Sequence, residues 1–133
     1  MNSITTRVWI AGASGRLGSA LSHRFGGNTA YKLVTSDRDV AVEDVSVVGR
    51  FADINHPDVI INCTGITDTD ECEANPEHAY RVNALGARNL SIVARKCGSK
   101  IVQISTDDVF DGESQTPYTE FDPVSPRTVY GKS

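Results

Sequence analysis

The chain has 133 residues, a net charge of −4 and a pI of about 5.3. This acidic balance, with no run of Lys and Arg, argues against nucleic acid as a partner. No apolar stretch approaches the ~20 residues of a membrane-spanning helix, and the N-terminus has no signal-peptide core. The three cysteines form no C-x-x-C pair and the histidines are scattered, so we expect reduced thiols, a cytoplasmic protein and no metal site.

The first predicted element is a strand over residues 8–11, and a glycine-rich turn follows it. The glycines Gly12, Gly15 and Gly18 are spaced G-x-x-G-x-x-G, and a helical pattern begins at Arg16 or Leu17. Gly12 permits a sharp turn, Gly15 lets backbone approach a ligand, and Gly18 lets the helix pack closely on the strand. Because a helix N-terminus carries free N–H groups and partial positive charge, this pattern predicts a site for the pyrophosphate of a dinucleotide.

An acidic residue favours a dinucleotide over the alternative, which is a glycine-rich turn without a ligand. Residues 31–36 predict a second strand, and Asp37 follows it, about 20 residues past the last glycine. A carboxylate there binds the ribose hydroxyls of NADH and repels the 2′-phosphate of NADPH. Arg16 and Arg38, with Ser36 nearby, would instead hold that phosphate. We therefore expect NADPH or NADH as the cofactor, and we favour NADPH.

The remaining elements follow from apolar periodicity and from breaker residues. They are a short helix over residues 44–53, a strand over 59–64, a helix over 76–96 capped by Asn75, a strand over 101–105, and a polar loop from 107 that leads to a helix at 129–130. The two later strands are continuous apolar runs, which is typical of strands buried on both faces. The alternation predicts an α/β fold with a Rossmann-like, doubly wound parallel sheet, in one NAD(P)-binding domain over residues 1–133.

In such a sheet, ligands bind outside the carboxyl ends of the strands. Four segments should therefore converge on one site, and they are residues 12–18, 37–38, 63–67 and 105–108.

Six short segments, spread over nearly the whole chain, carry a family signature. They read GASGRLG at residues 12–18, PDVIINC at 57–63, TDTDECE at 67–73, VNALGARNL at 82–90, ISTDDVFDG at 104–112, and PYTE then PVSPRTVYGKS from 117 onward. Together they resemble the extended short-chain dehydrogenase/reductase family, and more closely its dTDP-4-dehydrorhamnose reductase (RmlD-like) branch. The resemblance implies an NAD(P)H-dependent oxidoreductase that reduces the 4-keto group of a nucleotide-linked deoxysugar in deoxysugar synthesis.

The resemblance implies that Thr106 and Tyr130 are catalytic, together with a lysine four positions after the tyrosine. A nearby lysine cation lowers the pKa of tyrosine from about 10, so that Tyr130 can give a proton to the ketone oxygen while Thr106 holds that oxygen. Ser133 is the last residue of the sequence, one position before that lysine. Because similar enzymes are about twice this length, we expect an N-terminal part only, truncated before the substrate-binding part and able by itself to bind nucleotide at most.

The other site residues come from the glycine pattern, the strand ends and the resemblance. The cofactor-binding candidates are Gly12, Ser14, Gly15, Arg16, Leu17, Gly18, Asp37, Arg38, Cys63, Thr64, Gly65, Asn83 and Ser105. The substrate-binding candidates are Thr67, Asp107 and Asp108. Asn83 and Asn89 either tie down loops at the cofactor site or face water. The acidic residues between 68 and 73 predict a solvated turn before a helix rather than a metal cluster.

Two positions leave the substrate open. Similar reductases usually have tyrosine where this chain has Ile66 and Asp108. The nucleotide sugar is therefore dTDP-4-dehydrorhamnose or another 4-keto-hexose nucleotide. A second hypothesis is a non-catalytic nucleotide-binding protein, similar to the regulatory subunit of methionine adenosyltransferase. The sequence leaves open whether the protein is a monomer or a homodimer.

Overall fold

The computed structural model describes residues 5–133 and contains one parallel β-sheet flanked by helices. The strands are β1 (Thr6–Ala11), β2 (Tyr31–Ser36), β3 (Val59–Asn62) and β4 (Lys100–Gln103). The helices are α1 (Arg16–Gly26), α2 (Val45–Asn55), α3 (Thr69–Ala74), α4 (Pro76–Tyr80), α5 (Gly86–Cys97) and α6 (Val129–Lys132). A π-helical turn (Arg81–Leu85) joins α4 to α5, and a 3₁₀ turn (Asp107–Val109) follows β4. No helix within the described range is long and apolar enough to cross a bilayer.

The sheet has the strand order β2-β1-β3-β4, with every neighbouring pair parallel. The central strand β1 pairs on both sides, so that Trp9 lies opposite Val34 of β2 and Ile60 of β3. This order confirms the predicted doubly wound parallel sheet. The carboxyl ends of all four strands lie at one edge of the sheet, and the candidate site residues follow them.

Both faces of β1 are buried, which explains its continuous apolar run. Trp9, with Ile60 of β3, packs on the face covered by α2 and α5. Val8 and Ile10 point to the opposite face, where residues of α1 pack against them. Alternate side chains of a strand point to opposite faces of the sheet, so a strand covered on both sides needs apolar residues at every position.

Caps mark the ends of the helices, which lie within two residues of the predicted ones. The Asp44 carboxylate accepts hydrogen bonds from Ser46 N (2.8 Å) and Val47 N (3.3 Å), so α2 begins at the next residue, Val45. Asn75 caps α4, and Gly98 ends α5 in the left-handed region, with φ +71°. The single helix predicted over residues 76–96 is one continuous helical stretch that contains the π-helical turn.

Three sequence predictions were wrong in detail. The strand predicted over 59–64 ends at Asn62, because the Asn62 side chain accepts hydrogen bonds from Thr64 N and Oγ1 and turns the backbone. The acidic segment predicted as a solvated turn forms the helix α3, which Asp68 caps. The strand predicted as buried over 101–105 is an edge strand, and its Val102 is 45% exposed because no described element covers that face.

Candidate functional site

The glycine loop folds tightly against the segment that follows β3. Gly12 has φ +80°, and a Cβ on it would lie 2.8 Å from the carbonyl carbon and oxygen of Cys63 and from Thr64 N. A Cβ on Gly18 would overlap the carbonyl oxygen of Gly12. At Gly15 a Cβ would only reach ordinary contact distance, 3.4 Å from the Gly12 oxygen. Packing within the chain therefore requires Gly12 and Gly18, whereas Gly15 has room for a Cβ.

The N-terminus of α1 is suited to an anion. Gly15 occupies the N-cap position, no side chain caps the helix, and its first turn has no acidic residue. The first N–H groups of a helix have no partners within the helix, and the helix dipole makes this end partially positive. These features fit the pyrophosphate of a dinucleotide.

Asp37 joins the end of β2 to the glycine loop. Its carboxylate accepts hydrogen bonds from Ser14 N (2.7 Å) and Arg38 N (3.0 Å). Hydrogen bonding from Ser14, and then from the Arg38 N–H, holds the pKa of Asp37 below its usual value. The Ser36 carbonyl, next to Asp37, accepts from Gly12 N at 2.9 Å. The structure therefore brings the predicted ribose carboxylate against the glycine loop.

Two exposed arginines flank the candidate dinucleotide site in the sequence, one in the glycine loop segment and one directly after Asp37. Arg16 begins α1 and Arg38 follows Asp37, and both are exposed. The ion pairs found in the described part of the chain are Lys96–Asp53 and Arg127–Glu113, so neither Arg16 nor Arg38 is neutralised by a carboxylate there.

The segment after β3 is held by buried and half-buried polar side chains. Asn62 is buried and donates to Gln103 Oε1 at 2.8 Å, which ties the ends of β3 and β4 together. Cys63 N donates to Ala11 O at 2.9 Å and continues the pairing with β1. Burial raises the pKa of the Cys63 thiol, and its side chain packs against the apolar cluster of Val8, Ile10 and Ile61.

Asn83 and Asn89 both form hydrogen bonds to loop backbone. Asn83 lies in the π-helical turn, where its amide accepts from Ile66 N (2.8 Å) and donates to Ile66 O (3.0 Å). It also donates to Ser133 Oγ at 2.9 Å. Asn89 is buried and donates to Val42 O at 3.0 Å. Asn83 therefore acts on the loop after β3 through its hydrogen bonds to Ile66.

The segments that carry the two catalytic candidates are in contact. Thr106 follows β4, and its Oγ1 accepts from Asp108 N at 3.2 Å. Tyr130 is the second residue of α6. A Cβ on Gly131 would overlap the carbonyl oxygen of Asp108, so the helix backbone lies directly against the 3₁₀ turn. Thr128 Oγ1 links the two segments again, because it lies 3.4 Å from Asp108 Oδ2.

An open cleft of about 560 Å³ lies beside this contact. Asp107 and Asp108, the predicted substrate-binding residues, line it together with Thr128. Phe110 and Tyr118 form its aromatic wall, with stacked rings whose centroids are 4.4 Å apart. The cleft joins acidic and aromatic groups, a combination that can bind the hydroxyls and the apolar face of a sugar ring.

Two predicted site residues form no side-chain hydrogen bonds within residues 5–133. Thr67 and Ser105 are exposed, and no hydrogen bond of their side chains was found in that range. Conversely, sequence reasoning missed Asn62, Glu73 and Gly131. Gly131 carried a signal, since a glycine inside a helix indicates close approach of another backbone. Glu73 carried none, because its partner is 56 residues away.

Comparison with known proteins agrees with this geometry. Residues 6–133 match the family described as the RmlD substrate binding domain. The chain belongs to this family. The dTDP-4-dehydrorhamnose reductase of Mycobacterium tuberculosis is 37% identical to it over 133 residues, which cover 96% of this chain and 42% of that protein.

Solved structures of the family superpose closely on this fold. A dTDP-4-dehydrorhamnose reductase from Clostridium acetobutylicum is 41% identical, with a TM-score of 0.92 over 96% of this chain and 45% of that one. The same enzyme from Bacillus anthracis, in complex with NADP, is 34% identical, with a TM-score of 0.94 over 99% of this chain and 47% of that one. This chain therefore spans less than half the length of the relatives that it matches.

Proposed function

We propose that this chain is the NAD(P)H-binding part of a reductase that acts on the 4-keto group of a nucleotide-linked deoxysugar, either dTDP-4-dehydrorhamnose or a related 4-keto-hexose nucleotide. The observation that supports this proposal is the contact of Asp108, two residues after Thr106, with Thr128 and Gly131, which flank Tyr130 in the chain. The relatives named dTDP-4-dehydrorhamnose reductase support the choice of substrate class.

The residues present fit a dinucleotide. Gly15 has no side chain that would stand between the loop backbone and a ligand, and the uncapped end of α1 provides N–H donors for the pyrophosphate. Asp37 already accepts N–H groups from Ser14 and Arg38, which reduces the repulsion that its charge would exert on a 2′-phosphate. Arg16 and Arg38 remain to pair with that phosphate. These features favour NADPH over NADH, in line with the NADP bound by the Bacillus anthracis relative.

The side chains of this chain supply proton transfer and polarisation. Thr106 Oγ1 accepts the Asp108 N–H at 3.2 Å and donates to Asp107 Oδ1 at 3.5 Å. The hydroxyl proton can turn from this long contact toward a substrate oxygen. Tyr130 gives its phenolic proton to the same oxygen as that oxygen gains negative charge. When bound, the nicotinamide supplies the hydride. A lysine at the position after Ser133, as the resemblance implies, would lower the pKa of Tyr130 by its positive charge.

The test uses the complete gene product that contains these residues. Oxidation of NADPH and NADH is followed with dTDP-4-dehydrorhamnose as substrate. We expect turnover with NADPH, and Tyr130→Phe and Thr106→Val should each lower kcat by about 10²–10⁴-fold. Tyr80→Phe, on the exposed side of α4, is the matched control and should leave kcat unchanged.

Absence of turnover with dTDP-4-dehydrorhamnose and with other 4-keto-hexose nucleotides, in a protein that still binds NADPH, would refute the enzyme and favour the regulatory alternative. Residues 1–133 expressed alone should bind NADPH without turnover. Turnover by that fragment would contradict the assignment of catalysis to the longer protein.

A further inference from the structure

The short helix α6, which carries Tyr130, is held at both ends by one neighbouring stretch of chain. At its start, Val129 N donates to Glu73 Oε1 of α3 at 2.8 Å. At its end, Ser133 Oγ accepts from Asn83 Nδ2 at 2.9 Å. Both holding residues belong to the region between β3 and α5, which also forms the loop at Ile66. The position of Tyr130 therefore depends on this region as well as on the segment after β4.

Glu73 is itself rigidly placed. Its neighbour Cys72 is fully buried, and the Cys72 thiol donates to Ile66 O at 3.5 Å. Asp68 caps the same helix by accepting from Glu71 N at 2.9 Å. A helix of this length is not stable alone, so the buried thiol and the cap determine where α3 lies. The Glu73 carboxylate projects from this anchored helix toward α6.

The Glu73 carboxylate accepts a hydrogen bond from an N–H group in the first turn of α6. The first N–H groups of a helix lack intrahelical partners. Because α6 has only four residues, each of these N–H groups left without an acceptor destabilises a large part of the helix. Thr128 Oγ1 accepts from Gly131 N at 2.9 Å, and Glu73 accepts from Val129 N. A hydrogen bond to a carboxylate is shorter and stronger than one between neutral groups, and a negative charge is favourable at this end of a helix.

We propose that Glu73 is a positioning residue for the reaction: by holding the peptide N–H directly before Tyr130, it sets where the tyrosine hydroxyl meets the substrate oxygen. This inference rests on the proposed function, because it takes Tyr130 as the proton donor. It assigns a role to an acidic residue that would otherwise be a solvated helix charge. Glu73 acts through the backbone and touches neither cofactor nor substrate.

The test is a set of variants of the complete gene product, assayed for 4-keto sugar reduction with NADPH. Glu73→Ala should lower kcat about 10–100-fold, because small misplacements of a reacting group have effects of this size. The KM for NADPH should stay within about twofold, since the glycine loop is untouched. Glu73→Gln should restore most of kcat, because its amide oxygen still accepts the Val129 N–H. Glu71→Ala replaces another exposed acidic residue of the same helix. It is the matched control and should behave as the parent protein.

The kcat and KM values of these variants distinguish a positioning role of Glu73 from a purely structural one. Equal kcat for Glu73→Ala and Glu71→Ala, in a protein that Tyr130→Phe inactivates, overturns the role of Glu73 and leaves the proposed function standing. Full activity of Tyr130→Phe overturns the assignment of Tyr130 as the proton donor, on which the role of Glu73 rests. Absence of 4-keto sugar reduction by the parent protein overturns the proposed function itself. If Glu73→Gln is as impaired as Glu73→Ala and both raise the KM for NADPH, Glu73 only supports the fold and the positioning role is wrong. A kcat loss that glutamine repairs, with the KM unchanged, supports it.

Discussion

Replacing Gly12 by alanine tests how the glycine loop is built. Gly12 has φ +80°, where a non-glycine residue costs about 1–3 kcal/mol. The added Cβ would also lie 2.8 Å from backbone atoms of Cys63 and Thr64, which cannot rotate away as a side chain can. Overpacking of this kind costs about 1–3 kcal/mol. The two effects together predict a loss of about 2–6 kcal/mol in the free energy of unfolding.

Thermal unfolding of the complete gene product, with and without NADPH, measures this effect. A loss of 2 kcal/mol corresponds to a fall in Tm of about 3 °C in a protein about twice the length of this chain, because the unfolding entropy is about 2.1 cal/mol/K per residue. The affinity for NADPH should fall as well, because the displaced loop carries the pyrophosphate site. The control is Gly26→Ala, where a Cβ meets nothing within 4 Å and φ is not positive. If Gly12→Ala matched this control in Tm and affinity, the argument from close packing and positive φ would be refuted.

Two further variants test other parts of the site. The folded state lowers the pKa of Asp37, so its charge stabilises the fold above the unfolded pKa of about 4, and this contribution is lost as pH falls through the folded pKa. Asp37→Asn should therefore flatten the dependence of Tm on pH below about pH 4, and parallel pH profiles for variant and parent would contradict the assignment. Asn83→Asp keeps the acceptor for Ile66 N but places an oxygen against Ile66 O, so the free energy of unfolding in urea should fall by about 1–3 kcal/mol at neutral pH. An unchanged urea midpoint would show that the Asn83 amide does not hold the loop.

Local patterns predicted most of the fold because its elements carry their own signals. Asn75 was recognisable as a helix cap, since a short polar side chain before a helical stretch satisfies free N–H groups. The helix predicted from Asp44 begins one residue later, and Asp44 caps it. The continuous apolar run of β3 correctly predicted a strand that is buried on both faces of the sheet. The glycine spacing likewise predicted the turn at Gly12, where only glycine fits.

Predictions failed where a property depended on distant neighbours. The apolar run at β4 looked like a buried strand, but burial depends on what lies beside the strand, and β4 is at the sheet edge. The acidic segment after β3 was predicted as a solvated turn, because it lacks the apolar residues at helical spacing from which a helix is predicted. It forms α3 because Asp68 caps it and the buried Cys72 anchors it.

By itself, the sequence determined the succession of strands and helices along the chain and the glycine turn, because each of these is encoded in a few adjacent residues. The candidate catalytic residues came from the family resemblance, which draws on segments spread over nearly the whole chain. Only the tertiary structure decided how the site is held together. Glu73 reaches Val129 across 56 residues, and Asn83 reaches Ser133 across 50. These contacts exist because packing brings α3 and the π-helical turn against α6, and no local pattern records the distance between two elements that meet only in the folded chain.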